Sequence, residues 1–275
     1  MQNDKPIPRT QQVGDSLLFF RNTNTPNPQQ VGDKIVVQPW EGCTLEYTPN
    51  FIGTPLRDQL MGFLSMVTTW HEPKYKLYGK IAKSKTSYVW IGDKSYAFSK
   101  NHVDGCPATS WEAVPNCVHQ LLGMVNERFA GRCTFNAVLI TSYQYNDVED
   151  AKLGWHSDDD AWLLPTPATA IVPCVTITSS SKAESWFGLQ PKDQTMGSDV
   201  FLLPKNKSLY VMEQGTQLSS RHCVLKTLNP QGLAKNHRRK QRRGEKRSGT
   251  RYAFTFRSVN WDATGMPKPA TIKKQ

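Results

Sequence analysis

Seven residues, Arg251-Tyr-Ala-Phe-Thr-Phe-Arg257, put the tightest limit on what this chain can fold into. They alternate as a strand does, so Arg251 and Arg257, six apart, face the same side as Ala253 and Thr255. Two permanent cations on the inward face of a strand are costly unless they meet anions. In a fully extended strand their Cα atoms lie roughly 20 Å apart, so one small dicarboxylate meets both only if the long side chains lean inward. The small residues between them leave that space open. An edge strand carrying solvated arginines is the other reading of the same residues.

A second constellation lies upstream. His156-Ser157-Asp158 is a His-x-Asp pair. In an extended strand, residues two apart point to one face, where an imidazole and a carboxylate can share a metal. Two protein ligands do not close a site. His222 supplies a third, opening the apolar strand-like run His222-Cys223-Val224-Leu225. Two histidines and one carboxylate form the facial triad of non-haem iron(II) oxygenases, which leaves three positions open. The bland reading is a surface turn, since Ser157, Asp158, Asp159 and Asp160 are all turn formers.

The rest of the chain bounds the architecture. A length of 275 residues allows one large core or two modest ones. Residues 1 to about 40 are rich in Gln, Asn, Pro and Thr; the short apolar run Ser16 to Phe20 could pack, but most of the stretch reads as a polar N-terminal extension or loosely held arm. Leu56, Leu60, Phe63, Leu64 and Val67 recur at helical spacing. Val118, Leu121, Leu122 and Val125 form one apolar face of a second helix, over about 114–129, with Pro115 at an early position. Strands are expected at 137–143, 170–178, 209–213, 222–225 and 252–259. Helices followed by many strands predict an α+β domain with flanking N-terminal helices and a β-sandwich or double-stranded β-helix (jelly-roll) core. The six cysteines form no Cys-x-x-Cys pair, which argues against a zinc ribbon or redox motif. They read as reduced core residues. No apolar run reaches the roughly 18–20 residues that span a bilayer. Met1 to Thr10 lacks the apolar stretch of a signal peptide, so an intracellular protein is expected, nuclear or cytoplasmic, with no membrane partner and a monomeric state.

In their order, His156-x-Asp158, His222 and Arg251-x5-Arg257 resemble the AlkB family of nucleic-acid demethylases. The likeness runs from about Leu45 to Asn260. It includes Phe135 to Ile140 with Tyr143, Ser208 to Met212, and Gln217 to His222. Tyr78-Gly79-Lys80 and Gly92 to Ser99 resemble the family's nucleotide-recognition region. The resemblance implies an iron(II)/2-oxoglutarate dioxygenase domain over 41–262, with a basic insertion at 229–250 and a basic tail at 263–275. It implies iron(II) on His156, Asp158 and His222, with 2-oxoglutarate and O2 as cosubstrates. Arg251 would meet the far carboxylate of 2-oxoglutarate, Tyr143 would add a hydroxyl, and Arg257 would support the end near the metal. Asp160 would contact the damaged base, and an aromatic of the Tyr88 to Tyr96 stretch, Trp90 or Tyr96 among them, would stack on it. The implied reaction hydroxylates an N-methyl group while 2-oxoglutarate becomes succinate and carbon dioxide; the hemiaminal then releases formaldehyde. Two positions depart from the family, Thr141 and Ala253, where asparagines that help hold the cosubstrate are usual.

The formal net charge is +11, which suggests a polyanionic partner such as nucleic acid or an anionic membrane surface; the resemblance implies methylated DNA or RNA. Lys235 to Arg247 holds eight Lys or Arg against one Glu, seven of the net eleven charges. Arg238, Arg239, Lys240, Arg242 and Arg243 are its centre. Such a run reads as a phosphate-binding loop, with a nuclear-localisation signal or a merely solvated loop as competitors. Two other functions stay open on sequence alone. One is a nucleic-acid-binding module that keeps the fold with weak or no turnover. The other is a related oxygenase acting on protein or a small molecule.

Overall fold

The computed structural model describes residues 9–13, 15–20, 27–77, 80–84, 86–95, 105–145, 153–158, 170–226 and 249–261. Five strands come first: β1 (Arg9–Val13), β2 (Ser16–Phe20), β3 (Gln29–Val31), β4 (Lys34–Trp40) and β5 (Cys43–Thr48). Helix α1 (Thr54–Met66) follows, then β6 (Lys74–Leu77), β7 (Lys80–Lys83), β8 (Ser87–Ile91), β9 (Ala108–Thr109) and helix α2 (Asn116–Arg128). The second half is β10 (Ala137–Tyr145), β11 (Leu153–His156), β12 (Val172–Thr178), β13 (Trp186–Pro191), β14 (Val200–Leu203) and β15 (Ser208–Met212). A single turn, α3 (Thr216–Ser219), leads into β16 (Ser220–Leu225), and β17 (Gly249–Arg257) closes the core.

Two sheets carry the architecture. The larger runs β3-β4-β5-β15-β12-β17-β10-β8-β9, and the smaller runs β1-β2-β14-β13-β16-β11. Their facing surfaces share one core, in which Leu18, Phe20, Phe187, Leu189 and Val224 of the smaller sheet meet Ile35, Leu45, Val172, Tyr210 and Met212 of the larger. The outer face of the larger sheet packs on both helices. Leu56, Leu60 and Leu64 stand four apart on α1 and are buried; on α2 the buried Cys117, Leu121 and Val125 stand four apart, with Val118 beside them. Each fully buried Leu or Val contributes about 1.5–3 kcal/mol by leaving water. Pro55 suits the first turn of α1 because its missing N–H would have no partner there.

This layering explains β17. Phe254 and Phe256 point outward into the helix layer, so Arg251, Ala253, Thr255 and Arg257 point between the sheets. An edge strand with solvated arginines is thereby excluded: Arg251 is 0% and Arg257 3% exposed, and β17 lies between β12 and β10. The jelly-roll expectation holds, and both helices fall where their periodicity places them. Two expectations are corrected. Residues 16–20 and 34–40 are not a loose arm: Leu18, Phe20, Ile35 and Val37 are core residues, because β2 pairs with β14 and β4 with β5. The basic insertion cannot reach 250, because Gly249 and Thr250 already pair with Tyr145 and Gln144 in β17. Residues 227–248 and 262–275 lie outside the described residues. Among the described residues no helix is long and apolar enough to cross a membrane.

Candidate active site

β11 and β16 pair at the edge of the smaller sheet, and their register sets His156 opposite His222. The two ring centroids are 4.0 Å apart. The strand ends at His156, and the chain turns so that Asp158 comes back against both rings. Asp158 Oδ1 lies 3.8 Å from His156 Nε2, and Oδ2 lies 3.5 Å from His222 Nε2. One ligand atom from each residue falls within 4.8 Å of the others. Among the described residues this is the one such cluster of potential metal ligands.

The surroundings hold these groups ready for a cation. Gly154 offers a carbonyl 2.8 Å from His156 Nδ1; a carbonyl only accepts, so Nδ1 carries the proton and Nε2 keeps its lone pair for the centre. Burial, with His156 alongside, pushes His222 down to about 3, which leaves a neutral imidazole near neutral pH. Burial pushes the Asp158 carboxyl up, but the Arg257 guanidinium, then His222 and His156, outweigh it and hold it well below the usual carboxylate range. Arg257 Nη2 donates to Asp158 Oδ2 at 2.8 Å, an ion pair joining the smaller sheet's metal loop to the larger sheet. Gln217 is also buried; its Oε1 accepts from the Asp158 backbone N–H at 2.9 Å. Ser157 Oγ donates to the Ser220 carbonyl at 3.0 Å. The whole loop is thus tied to the start of β16.

A cavity of about 330 Å³ opens beside the cluster and extends between the sheets over Thr255, Ala253 and Cys174 towards Tyr143 and Tyr210. Arg251 stands past Ala253 on the same face of β17. Its Nη2 donates to Thr176 Oγ1 at 3.2 Å and to the Tyr210 hydroxyl at 3.3 Å, and its guanidinium lies 5.1 Å from the centre of the Tyr143 ring. Arg251 Nε and Nη1 are buried and have no partner among the described residues. A buried cation with unused donors is costly, and a carboxylate entering the cavity relieves that cost. The donor set beside the cavity fits a metal ion, and the under-bonded guanidinium behind Tyr143 and Tyr210 suits the far carboxylate of a dicarboxylic acid.

Not every expected residue arrives. Trp90 is fully buried beside Cys106, Ala137 and Leu139, with its indole N–H on the Lys94 carbonyl and its ring edge-on to Trp261 at 6.2 Å. It cannot stack on a substrate there. Tyr88, two residues earlier on the same face of β8, lines the cavity instead. Thr141 and Ala253 are register partners across β10 and β17, and both line the cavity. Asp160, Tyr96, Arg238, Arg239, Lys240, Arg242 and Arg243 lie outside the described residues. Sequence reasoning missed Tyr210, Thr176 and Gln217. The alternation of β12 and β15 was the signal for the first two: Cys174 and Thr176 share one face, as do Tyr210 and Met212.

Two facing antiparallel sheets, with two imidazoles and a carboxylate at one end of the space between them, define a double-stranded β-helix oxygenase with a non-haem metal centre. The sequence matches the 2OG-Fe(II) oxygenase superfamily over residues 44–257, and the chain belongs to that family. Its members use iron(II), 2-oxoglutarate and O2. Among 130 matching chains of solved structures is one described as "The structure of OsALKBH1", 16% identical, covering 78% of this chain and 97% of that one at a TM-score of 0.43. Comparison with curated protein sequences gives no match.

Proposed function

We propose that this dioxygenase removes methyl groups from N-methylated bases in DNA or RNA. The observation that carries the reading is the AlkB-like motif order: its metal members and Arg257 line a cavity with an aromatic wall, and Arg251 stands behind Tyr143 and Tyr210 of that wall. His156, Asp158 and His222 would hold iron(II), and Arg251 would hold the far carboxylate of 2-oxoglutarate. The bound iron and 2-oxoglutarate supply oxygen activation, driven by decarboxylation of the oxo acid to succinate and carbon dioxide.

The chain's own residues do the remaining work. Arg257 keeps Asp158 ionised and oriented, and Gln217 fixes the backbone of the same residue. Leu139, Leu153, Met212 and Phe187 wall the cavity with apolar surface, which limits water near the reacting methyl group. Tyr88 gives the base a ring to lie against, held by Thr86 Oγ1 at 2.6 Å from its hydroxyl. One oxygen atom enters the N–CH3 group to give N–CH2OH, and the other enters succinate. The hemiaminal then loses formaldehyde and leaves N–H. A base in a duplex cannot reach such a cavity and must be flipped or unpaired. Lys74, Lys76, Lys80 and Lys83 are exposed on the β6–β7 hairpin, which joins β8 through a His71–Tyr88 bridge, so positive charge adjoins the wall that carries Tyr88.

The test is turnover by purified protein with iron(II), 2-oxoglutarate and methylated single- and double-stranded DNA and RNA oligonucleotides. Formaldehyde and succinate should appear in equal amounts with at least one of them. Succinate without formaldehyde from any methylated oligonucleotide would leave the oxygenase standing and remove the substrate class.

A further inference from the structure

We infer that the Met212 thioether is a modification site: hydrogen peroxide that enters the cavity oxidises it to the sulfoxide, and Gln217 carries the change to the metal loop at Asp158. The inference rests on the metal role of the triad and not on the identity of the methylated substrate.

Met212 ends β15 and is buried in the core between the sheets, yet it lines the cavity together with the metal ligands. Its sulfur also takes part in the bonding of the site. Gln217 Nε2 donates to Met212 Sδ at 3.1 Å, while Gln217 Oε1 accepts from the Asp158 backbone N–H at 2.9 Å. One amide thus joins the thioether to the ligand loop. The Asp158 N–H can only donate, so it fixes the amide oxygen on its own side and turns the NH2 group to the sulfur. The backbone behind that amide has little room to follow a movement of either end. The Gln217 carbonyl accepts from Lys192 Nζ at 2.8 Å, and Thr216 Oγ1 donates to the Thr44 carbonyl at 3.0 Å, so α3 is tied both to β5 and to the residue after β13.

The oxidation needs no ionised group. A sulfur lone pair attacks one peroxide oxygen, the O–O bond breaks, and hydroxide departs. The hydroxide takes the proton from the sulfur-bound oxygen and leaves as water; the sulfur has lost two electrons and the peroxide has gained them. Cys174, the other sulfur that lines the cavity, would react as a thiolate, but burial pushes its thiol up and keeps it protonated. The sulfoxide is polar where the thioether was apolar. No oxygen atom fits between Sδ and Nε2 at 3.1 Å, and the oxidised sulfur is too electron-poor to go on accepting. An oxygen set elsewhere on the sulfur draws the NH2 group after it. Either way the amide cannot hold the Asp158 N–H as before, and the loop that presents the carboxylate loses a support.

The experiment oxidises the full-length protein with hydrogen peroxide, removes the peroxide with catalase, and titrates manganese(II) by calorimetry. Peptide mapping by mass spectrometry follows each methionine. Partners that orient metal ligands are worth about 10- to 100-fold in metal affinity, so wild type should lose affinity over that range, in step with sulfoxide at Met212. The exposed Met66 and Met196 oxidise too and serve as controls, since sulfoxide at those two should leave manganese binding unchanged. Met212→Leu has no sulfur to oxidise there, so peroxide should move its affinity by less than about three-fold from its own untreated value. Gln217→Ala should lose affinity before any peroxide and less than about three-fold more after it, because two changes to one link do not add. The proposal is overturned if Met212 stays a thioether while Met66 and Met196 are fully oxidised, or if protein with Met212 sulfoxide binds manganese as before. It is overturned equally if peroxide weakens Met212→Leu or Gln217→Ala as much as wild type. Failure of the untreated wild type to bind manganese would overturn it together with the metal reading.

Discussion

Burial leaves Arg251 a charged group with donors unused and His222 a neutral imidazole, and each state carries a consequence. Arg251 is wholly enclosed, and its Nε and Nη1 have no partner among the described residues, so its removal should act through the cosubstrate. Arg251→Ala is expected to raise the 2-oxoglutarate concentration for half-maximal turnover at least roughly 100-fold, from loss of a charge-assisted pair. Arg251→Lys should recover only part, because an ammonium lacks the planar fork. Steady-state kinetics against 2-oxoglutarate decide this, and unchanged dependence in the alanine variant would put the cosubstrate elsewhere. His222 is neutral in the folded chain down to about pH 3, whereas an unfolded histidine takes its proton near about 6.5. Below that pH the unfolded chain binds the extra proton, so stability of the metal-free protein should fall as pH drops, by up to about 1.4 kcal/mol per pH unit from this group. Asp158, held low by Arg257, works in the same sense below about pH 4, where an unfolded carboxyl protonates first. Urea unfolding at pH 7.5, 6.5 and 5.5, for wild type and His222→Asn, measures the slope. Parallel losses in the two proteins would clear His222 of any part in it.

At the scale of elements, what could be read in advance followed from periodicity. α1 and α2 show it at 3.6 residues and β17 at 2, and all three formed where expected. β13 and β14 were not foreseen, because short strands buried on both faces give no alternation and Gly188 interrupts the first of them. β2 showed only as a short apolar run, and β4 was hidden by polar neighbours, although Ile35 and Val37 alternate in it. In the site, the triad and both arginines were legible because metal and charge demand particular residue types. The choice between Tyr88 and Trp90 was not legible. Both face the same way on β8, and Tyr88 lines the cavity while Trp90 is buried against Cys106, Ala137 and Trp261. Gly188 makes a prediction of its own. A Cβ there would lie 2.7 Å from the Phe201 ring and 2.8 Å from Cys223 Sγ. Gly188→Ala should therefore destabilise by about 1–3 kcal/mol through overpacking. Phe201→Leu in the same chain should restore part of that in thermal melts, and melts identical to wild type for Gly188→Ala would show that the strand yields freely.

For the whole molecule, the surplus of positive charge is concentrated rather than spread. Changing Arg238, Arg239, Lys240, Arg242 and Arg243 together to Ser should weaken binding of long oligonucleotides. It should also flatten the plot of log affinity against log salt, by about 0.7–0.9 for each phosphate that is no longer neutralised. Decarboxylation without substrate should stay as it was. Superimposable salt titrations for the two proteins would dismiss the run as a phosphate-binding loop and leave a localisation signal to be sought in cells. A different global property follows from the ion pair between Asp158 and Arg257. The triad belongs to the smaller sheet and its clamp to the larger, while among the described residues β11 pairs only with β16, at the sheet's edge. An ion seated there pins β11 to β16, its binding free energy adds to the cohesion of that edge, and the Asp158–Arg257 pair carries the pinned edge to the other sheet. Amide exchange should register this unevenly: chelation should speed deuterium uptake at 153–158 and the start of β16 while β12 and β15, deep in the other sheet, keep their slow hydrogens.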